Sequence, residues 1–325
     1  MRAPSFWAKR GVASVLLWPL ERLWIYGARQ RLTKGPWEQL DVPVICVGNI
    51  NAGGTGKTPS VIALLDMLAK MGVRAHVVSR GYGGSLEGPV LVEERVHTAA
   101  DVGDEPLLIS AFGPCWVSKD RAAGAKAAIA AGAEIIVLDD GFQNPALAKD
   151  FSIVVVDAEV GFGNGRCMPA GPLREPLKDG LARADVILSI GSARAQSDFS
   201  VDAVRWQAQL QPLETGMEWD GTRVLAFAGI GRPGKFFATL KGLGTEIVAT
   251  REFADHAPYT DAVLKRLLAE AASKSAQLVS TEKDIARLPD HFKREVIALP
   301  VRLEFDDPEA VQAALENLLA ARRSE

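Results

Sequence analysis

Short apolar runs alternate with helical patterns along most of the chain. Strand-like runs occupy residues 42–47, 75–78, 134–138, 152–156 and 186–190. Between them, residues 57–71, 107–112 and 121–131 carry apolar side chains at helical spacing. Strands rich in Val, Ile and Leu that alternate with helices indicate a parallel sheet covered on both faces. The pattern therefore predicts an α/β fold, whose ligands bind beyond the carboxyl ends of the strands.

The pattern changes after residue 203. Residues 204–210 alternate as a strand does, and a polar, Gly-containing turn region follows, so we interpret residues 204–222 as a linking hairpin that could act as a hinge. Apolar runs at 224–228, 246–249, 277–280 and 296–303 predict a second, smaller α/β unit over residues 223–325. Its last helix begins near Asp307-Pro308 and ends near Arg322. The first unit then covers residues 37–203.

Residues 1–36 differ from the rest of the chain. They hold seven basic residues and one acid, Glu21, although the whole chain has a net charge of −3. The longest uncharged run, residues 11–20, contains Pro19 and is shorter than the roughly 20 apolar residues that a spanning helix needs. Interleaved Trp and basic residues predict a helix in the membrane interface. The alternative is an amphipathic helix packed on the protein itself.

The overall composition is that of a globular protein. Hydrophobic residues make up 48% and charged residues 24% of the chain. Three cysteines, Cys46, Cys115 and Cys167, lie far apart without C-x-x-C spacing. This indicates a reducing compartment and argues against a disulfide framework or a zinc site.

A glycine-rich loop connects the first apolar run to a helix. It reads, residue by residue, Asn51, Ala52, Gly53, Gly54, Thr55, Gly56, Lys57 and Thr58. Glycines allow consecutive N–H groups to converge on a phosphate, while Lys57 would reach the β- and γ-phosphates and Thr58 would bind Mg²⁺. The strict phosphate-loop pattern has Gly where this chain has Asn51. The sequence predicts a nucleotide-phosphate site, with an ordinary strand–helix turn as the alternative.

Two acidic pairs are candidates for the chemistry. Asp139 and Asp140 follow an apolar run, where phosphate-loop enzymes hold Mg²⁺; solvated turn acids are the alternative. Asp104 and Glu105 open a helix. Asp104 is either the cap of that helix or a general base for a substrate hydroxyl, and Glu105 would then approach the metal.

Three other polar segments do not indicate a specific function by their spacing alone. His256 lies in a loop beside Asp255, and loop histidines are usually found at the surface. Residues 79–84 and 169–176 are dense in Gly, Arg and aromatic residues. Arginine recognises phosphate bidentately, so both segments suit an anionic ligand, although tight turns would have the same composition.

Taken in order, these motifs resemble the tetraacyldisaccharide 4′-kinase family of lipid A biosynthesis over nearly the whole chain. The matching segments are Val47-Gly48-Asn49 with the glycine loop, Ser79-Arg80-Gly81-Tyr82, Gly103-Asp104-Glu105-Pro106, Leu138-Asp139-Asp140-Gly141-Phe142-Gln143, residues 169–176, Asp255-His256 and Thr281-Glu282-Lys283-Asp284. The resemblance also accommodates Asn51. It departs at Asn144, where the family often has His.

The resemblance implies an α/β phosphate-loop kinase at the cytoplasmic face of the inner membrane. It would use ATP and Mg²⁺ to phosphorylate the 4′-hydroxyl of an acylated disaccharide lipid, with the membrane surface as partner and no nucleic acid. Asp104, His256 and Lys57 would be catalytic, and Thr58, Glu105, Asp139 and Asp140 would serve the metal. Tyr82, Arg174 and Glu175 would line the acceptor site.

Two other functions compete with this interpretation. Thr281-Glu282-Lys283-Asp284 superficially resembles a guanine-specificity motif, which would suit a GTPase or metallochaperone-type nucleotide switch. A soluble small-molecule kinase would need the N-terminal helix only for packing. In the kinase, Asp104 and His256 would come from different units, and a hinge near residues 203–222 would gate the site.

Overall fold

A computed structural model describes residues 4–323. The first three residues of the predicted segment 1–36 and the last two of the predicted unit 223–325 lie outside the described residues. The first half of the chain forms a 3₁₀ turn (Ser5–Trp7), α1 (Val12–Leu16), α2 (Trp18–Thr33), β1 (Val44–Gly48), α3 (Lys57–Lys70), β2 (Ala75–Ser79), β3 (Val90–Leu91), α4 (Ala99–Val102), α5 (Asp104–Ser110), β4 (Cys115–Val117), α6 (Arg121–Ala130), β5 (Ile135–Asp139) and β6 (Phe151–Asp157). The second half forms α7 (Leu177–Leu181), β7 (Val186–Ile190), α8 (Ala193–Asp198), β8 (Arg205–Pro212), β9 (Arg223–Ala228), α9 (Pro233–Gly242), β10 (Glu246–Glu252), α10 (Asp261–Ser273), β11 (Gln277–Thr281), α11 (Glu282–Ala286), α12 (Asp290–Lys293), β12 (Ile297–Leu299), β13 (Val301–Phe305) and α13 (Pro308–Arg323).

The large sheet has nine strands in the order β13-β8-β7-β6-β1-β5-β2-β4-β3. It is parallel except at its edges, where β3 pairs antiparallel with β4 and β13 antiparallel with β8. Along β1, Ile45 and Val47 belong to one apolar core, whereas Val44 and Cys46 belong to the other. Because a strand points successive side chains to opposite faces, the sheet is buried on both sides. The predicted α/β fold is confirmed.

The strand order brings two candidate segments to one edge of the sheet. β1 pairs in parallel with β5, and Val47 lies level with Asp139. The glycine loop follows β1, and Asp140 follows β5. Both therefore emerge side by side at the carboxyl ends of central strands, where ligands bind in open α/β sheets.

The small sheet has four parallel strands in the order β10-β9-β11-β12. Phe227 of β9 packs with Leu264 and Leu267 of α10 on one face, and Val224 of β9 packs with Leu240 of α9 on the other. The small sheet thus has its own two-sided core, as an α/β unit requires.

The interpretation of residues 204–222 as a linking hairpin differs from the structure. Its strand, β8, pairs in parallel with β7 and antiparallel with β13 as part of the large sheet. The predicted strand 296–303 is also divided at Pro300, which lies between β12 and β13. Proline has no N–H for a ladder, so one continuous central strand is disfavoured there. The chain consequently returns to the large sheet after building the small one.

The predicted N-terminal helix is divided into the 3₁₀ turn, α1 and α2. Pro19 occupies the first turn of α2, a position where its missing N–H costs no hydrogen bond. Apolar side chains that are at least half exposed run along α1 and α2: Val12, Val15, Leu16, Trp18, Leu20, Leu23 and Tyr26. Among the described residues, every helix is too short or too polar to cross a membrane.

Candidate active site

The glycine loop turns sharply between β1 and α3. Gly56 has φ = +100°, and a Cβ there would lie 2.6 Å from Ile190 Cδ1, so only glycine fits without strain. The Asn49 side chain braces the turn by donating to the Gly53 carbonyl at 3.2 Å and to the Thr55 hydroxyl at 3.1 Å. Gly53, Gly54 and Lys57 line one concave space at the N-terminus of α3, an arrangement that suits an anion.

Asn51 and Ala52 have other partners. The Asn51 side chain donates to the Gly161 carbonyl at 2.9 Å, and the Ala52 N–H donates to the Pro172 carbonyl at 2.7 Å. These bonds fasten the start of the loop to the segment after β6. Of the predicted nucleotide-binding residues, these two accordingly brace the loop, and donors available to a phosphate begin at Gly53.

Asp139 is a buried carboxylate at the end of β5. Its side chain is 3% exposed and accepts a hydrogen bond from the Ser79 hydroxyl at 2.9 Å. Burial, together with the nearby charges of Glu105 and Asp140, outweighs the cations Lys57 and Arg121 and raises the pKa of Asp139 to about 6. Ionisation of this carboxylate is therefore costly in the folded protein.

Asp140 has cationic neighbours instead. Its Oδ1 lies 2.9 Å from Arg174 Nη1 and 3.7 Å from Lys57 Nζ. Burial raises the pKa of Asp140, but Lys57 and Arg174 outweigh burial and hold that pKa below its ordinary value. Its backbone adopts φ = +51°, a region that Asp tolerates better than most residues.

Arg121 lies buried beneath both acids. Its guanidinium donates to the Val78 carbonyl at 2.6 Å and to the Asp139 carbonyl at 2.9 Å. The sequence pattern indicates only that Arg121 begins a helix. Its location below a strand end was not visible from spacing, because the pairing of β2 with β5 is a long-range feature.

Arg174 and Glu175 have different surroundings. Arg174 faces Asp140, whereas the Glu175 side chain is 2% exposed. One Glu175 oxygen accepts from Gln143 Nε2 at 2.9 Å and the other accepts from Arg183. Both oxygens already carry protein partners, so Glu175 ties the Gln143 turn to the Arg174 loop.

The side chains of Asp104 and His256 are in contact, although Asp104 belongs to the unit of the large sheet and His256 to the unit of the small sheet. Asp104 begins α5 after Gly103, is 4% exposed, and has both carboxylate oxygens 3.0–3.1 Å from His256 Nδ1. His256 follows β10 with φ = +59°. The hydrogen bond to Asp104 raises the pKa of His256 against the opposing effect of burial. The sequence placed these residues in one site only through the family resemblance.

Two cations keep Asp104 ionised. Lys283 Nζ lies 3.0 Å from Glu105 Oε1, 3.8 Å from Asp104 Oδ2 and 3.9 Å from Asp255 Oδ1. Arg287 Nε lies 3.7 Å from Asp104 Oδ2. Burial raises the pKa of Asp104, but the His256 hydrogen bond and these charges outweigh burial, so the pKa is lowered. Nothing in the sequence indicates that Lys283 and Arg287 lie beside Asp104.

Asp284, in the motif that resembles a guanine-specificity sequence, is fully buried. It accepts hydrogen bonds from the Gly229 N–H at 3.0 Å, the Tyr259 hydroxyl at 2.7 Å and the Thr281 hydroxyl at 2.7 Å, and it pairs with Arg287. An aspartate with this many internal partners has no free oxygen to read a base. It stabilises the turn that presents Lys283.

One cavity of about 1090 Å³ connects these groups. Tyr82 is 68% exposed at its edge and meets the His256 ring in a T-shaped contact, with centroids 5.4 Å apart. Of the predicted site residues, the cavity wall includes Gly53, Gly54, Lys57, Tyr82, Glu105, Asp139, Asp140, Arg174, Glu175 and His256. Residues of α2, among them Leu23, Trp24 and Arg31, form the wall at the other end.

The residues predicted for a metal fit Mg²⁺. Thr58, Glu105, Asp139 and Asp140 supply oxygen atoms, the donors that Mg²⁺ prefers. Within residues 4–323, no three His, Cys, Asp or Glu side chains form a complete metal cage. Phosphate-loop sites need none, since phosphate oxygens and water complete the shell. A divalent cation beside Asp139 would also favour the ionised carboxylate, whose pKa burial and the neighbouring acids raise.

This fold and this cavity define a nucleotide-binding phosphotransferase of the phosphate-loop class. A sequence model described as tetraacyldisaccharide-1-P 4′-kinase matches residues 13–320. The chain belongs to this kinase family.

Individual relatives agree over almost the full length. A tetraacyldisaccharide 4′-kinase of Jannaschia sp. (strain CCS1) is 58% identical, covering 98% of this chain and 99% of its own. One from Dinoroseobacter shibae is 55% identical over 99% and 100%, respectively. A crystal structure of LpxK from Aquifex aeolicus, described as an apo form in complex with ATP, is 26% identical with a TM-score of 0.77, covering 94% of this chain and 99% of its own.

Proposed function

We propose that this protein transfers the γ-phosphate of ATP to the 4′-hydroxyl of a tetraacylated glucosamine disaccharide 1-phosphate in lipid A biosynthesis. The carrying observation is that one cavity joins the glycine loop, the Asp139-Asp140 pair and His256, which is hydrogen-bonded to Asp104. Family membership supplies the acceptor, since the relatives are named for 4′-kinase activity.

The glycine loop binds the nucleotide phosphates. N–H groups from Gly53 onward hold the β- and γ-phosphates, and Lys57 places its ammonium beside the group in transfer. Thr58, Glu105, Asp139 and Asp140 would hold Mg²⁺, which neutralises phosphate charge when bound. Phosphoryl transfer asks the protein mainly for such positioning and charge stabilisation.

Asp104 acts as the general base. Its carboxylate accepts the proton of the 4′-hydroxyl while the hydroxyl oxygen bonds to the γ-phosphorus, and the bond from that phosphorus to ADP breaks. His256 orients the carboxylate through Nδ1 and shares the proton afterwards. Lys283 and Arg287 keep Asp104 ionised beforehand.

The acceptor lies between the base and α2. Tyr82, exposed at the cavity edge, offers an aromatic face to a sugar ring, and Arg174 offers a cation to the anionic acceptor. Glu175 supports Arg174 from beneath, through Gln143 and Arg183.

The first experiment measures labelled-phosphate transfer from ATP to the disaccharide. Asp104→Asn should lose at least ~100-fold in kcat, the usual contribution of a general base. Asp66→Asn, an exposed acid paired with Lys70, is the matched control and should keep wild-type activity. Full activity of Asp104→Asn would remove Asp104 as the base, and absence of transfer by the wild type would remove the proposed reaction.

We also propose that α1 and α2 lie in the cytoplasmic face of the inner membrane. Their exposed apolar side chains adjoin basic residues, the combination that binds an anionic interface. In flotation with anionic vesicles, Leu16→Glu/Leu23→Glu should shift most of the protein to the unbound fraction. Val204→Glu, an exposed apolar position elsewhere, should float as the wild type does. Equal flotation of all three would contradict membrane contact through these helices.

A nucleotide switch and a soluble kinase make different predictions. The internal partners of Asp284 argue against guanine recognition. Hydrolysis of GTP in preference to ATP without lipid would favour the switch. Efficient phosphorylation of a water-soluble sugar without detergent or lipid would favour the soluble kinase.

A further inference from the structure

Glu21 is the only acid among residues 1–36, and it faces inward. The side chain is buried, at 7% exposure. Its Oε1 accepts the Cys167 backbone N–H at 2.8 Å, and its Oε2 accepts from Arg166 Nη1 at 2.9 Å. Ile25, one turn later on the same side of α2, packs against the large-sheet core. One face of α2 carries its exposed apolar side chains. The opposite face packs against the protein and includes the contact of Glu21 with Arg166 and Cys167.

The partners of Glu21 belong to a tight loop that carries Arg174. Within it, the Leu173 N–H donates to the Arg166 carbonyl at 3.0 Å, and the Met168 N–H donates to the Leu173 carbonyl at 2.8 Å. At its far side, the Arg174 N–H donates to the Ile50 carbonyl at 2.7 Å. This 166–174 loop thus lies between α2 and the start of the glycine loop.

A second contact holds the same loop directly at Arg174. The Trp24 indole N–H donates to the Arg174 carbonyl at 2.8 Å. Glu21 and Trp24 are three positions apart and lie on neighbouring parts of one helix face. Two contacts from α2 therefore fix both ends of the 166–174 loop, and the Arg174 guanidinium extends from that loop to Asp140.

We propose that Glu21 and Trp24 are positioning residues for the acceptor half of the site. By holding the 166–174 loop, they set where Arg174 stands relative to Asp140 and to the cavity wall. Because α2 lines that wall, the helix then has a role in acceptor binding that is separate from membrane anchoring. The inference rests on the proposed function, since it assigns the acceptor to that part of the cavity.

The test compares KM values for the two substrates in detergent micelles, where membrane anchoring plays no part. Glu21→Ala should raise the KM for the disaccharide lipid about tenfold, because small displacements of a binding group weaken productive binding. Glu21→Gln keeps an acceptor for the Cys167 N–H, so it should raise that KM less. Trp24→Phe keeps the ring but loses the N–H, and we expect a rise between these two. The KM for ATP should stay within about twofold throughout.

Glu38→Ala is the control, since Glu38 pairs with Lys126 at the surface. It should leave both KM values unchanged. An equal rise of both KM values in the Glu21 and Trp24 variants would indicate a merely structural role and overturn the inference, as would an unchanged lipid KM in both. A defect with vesicles but not with micelles would assign α2 to anchoring alone. Absence of transfer by the wild type would instead contradict the proposed function itself.

Discussion

At the scale of single residues, two adjacent carboxylates differ in their charge environment. Burial and neighbouring acids raise the pKa of Asp139 to about 6, whereas Lys57 and Arg174 overcome burial and lower the pKa of Asp140. A buried acid that is costly to ionise is a recurrent feature of functional sites. Ionised Asp139 therefore destabilises the fold, and a cation bound beside it would reduce that cost.

Replacement of Asp139 should show this cost directly. A folded-state pKa above the ordinary value means that ionisation destabilises the fold, and this cost grows as pH rises from the ordinary pKa through about 6. Asp139→Asn should accordingly increase the free energy of unfolding at pH 7 by about 1 to 3 kcal/mol, from ~1.4 kcal/mol per pKa unit. Urea unfolding in EDTA measures it. The gain should vanish near pH 4, and a loss of stability at pH 7 would contradict the prediction.

The stability that the Asp104–His256 contact contributes should fall both at high pH and at low pH. The raised pKa of His256 gives stability that is full below the ordinary His pKa and lost as pH rises through the raised one. The lowered pKa of Asp104 gives stability that is lost as pH falls through the lowered value. His256→Gln should therefore cost most near about pH 5, on the order of 1 kcal/mol. Urea midpoints from pH 4 to 9 test this, and a pH-independent difference would contradict it.

Residue types were easier to predict than their surroundings. Asp104 was visible as a helix-opening acid, yet its burial beside His256 depends on how the two sheets meet. Glu21 stood out as a single acid in a basic segment, but its partners lie about 145 residues away. Spacing in sequence carries no information about such distant partners, so charge counting alone makes Glu21 look like a surface residue.

At the scale of elements, the glycine loop relies on side chains as well as glycines. Asn49 braces its middle, and Asn51 fastens its start to Gly161. The position where the strict pattern has Gly is therefore occupied by a residue with a structural role. The departure from the pattern supports the loop instead of weakening it.

Restoring the strict pattern should harm the protein. Asn51→Gly removes the bond to Gly161 and frees the backbone, so it should lower the free energy of unfolding by about 1 to 2 kcal/mol and raise the KM for ATP. Asn51→Ala removes the same bond without the added backbone freedom and should have the smaller effect. Urea unfolding and initial-rate kinetics measure both. Improved ATP binding by Asn51→Gly would contradict the bracing role.

The sequence pattern predicted the positions of most large-sheet strands, but not which strands lie next to each other in the sheet. Apolar runs located β1, β2, β5, β6 and β7 to within two residues, because fully buried parallel strands are continuously apolar. The alternation in β8 correctly indicated a strand, but alternation reports exposure and not which strand lies alongside. β3 and β4, with two and three residues, were too short to show a pattern.

At the scale of the whole molecule, charged contacts join the two sheets outside the cavity wall as well. Buried Asp157 at the end of β6 pairs with Arg232 and with Lys235, whose Nζ lies 2.8 Å away, beside the start of α9. The chain passes between the sheets twice, through residues 213–222 and at Pro300. Opening of the cavity by motion at these connections remains a prediction, and a crosslink across residues 213–222 that leaves turnover unchanged would count against it.

The C-terminal helix should behave as part of the large-sheet core. Leu315 of α13 is fully buried and belongs to the same core as Leu64 of α3. Leu315→Ala should lower the free energy of unfolding by about 2 to 4 kcal/mol, as large-to-small changes in a packed core do. Leu213→Ala, at a 39% exposed position in the connection, should cost much less. Equal urea midpoints for the two variants would contradict this assignment.

Because β13 pairs with β8 but lies near the end of the chain, this pair can form only late in synthesis. When β8 leaves the ribosome, its outer edge has no partner, and roughly ninety further residues must be translated before β13 emerges. An open strand edge is a template for pairing with other chains. The small sheet, with all four strands contiguous in sequence, can fold in that interval. Until β13 pairs with it, the outer edge of β8 is the part of the nascent sheet that is open to pairing with another chain.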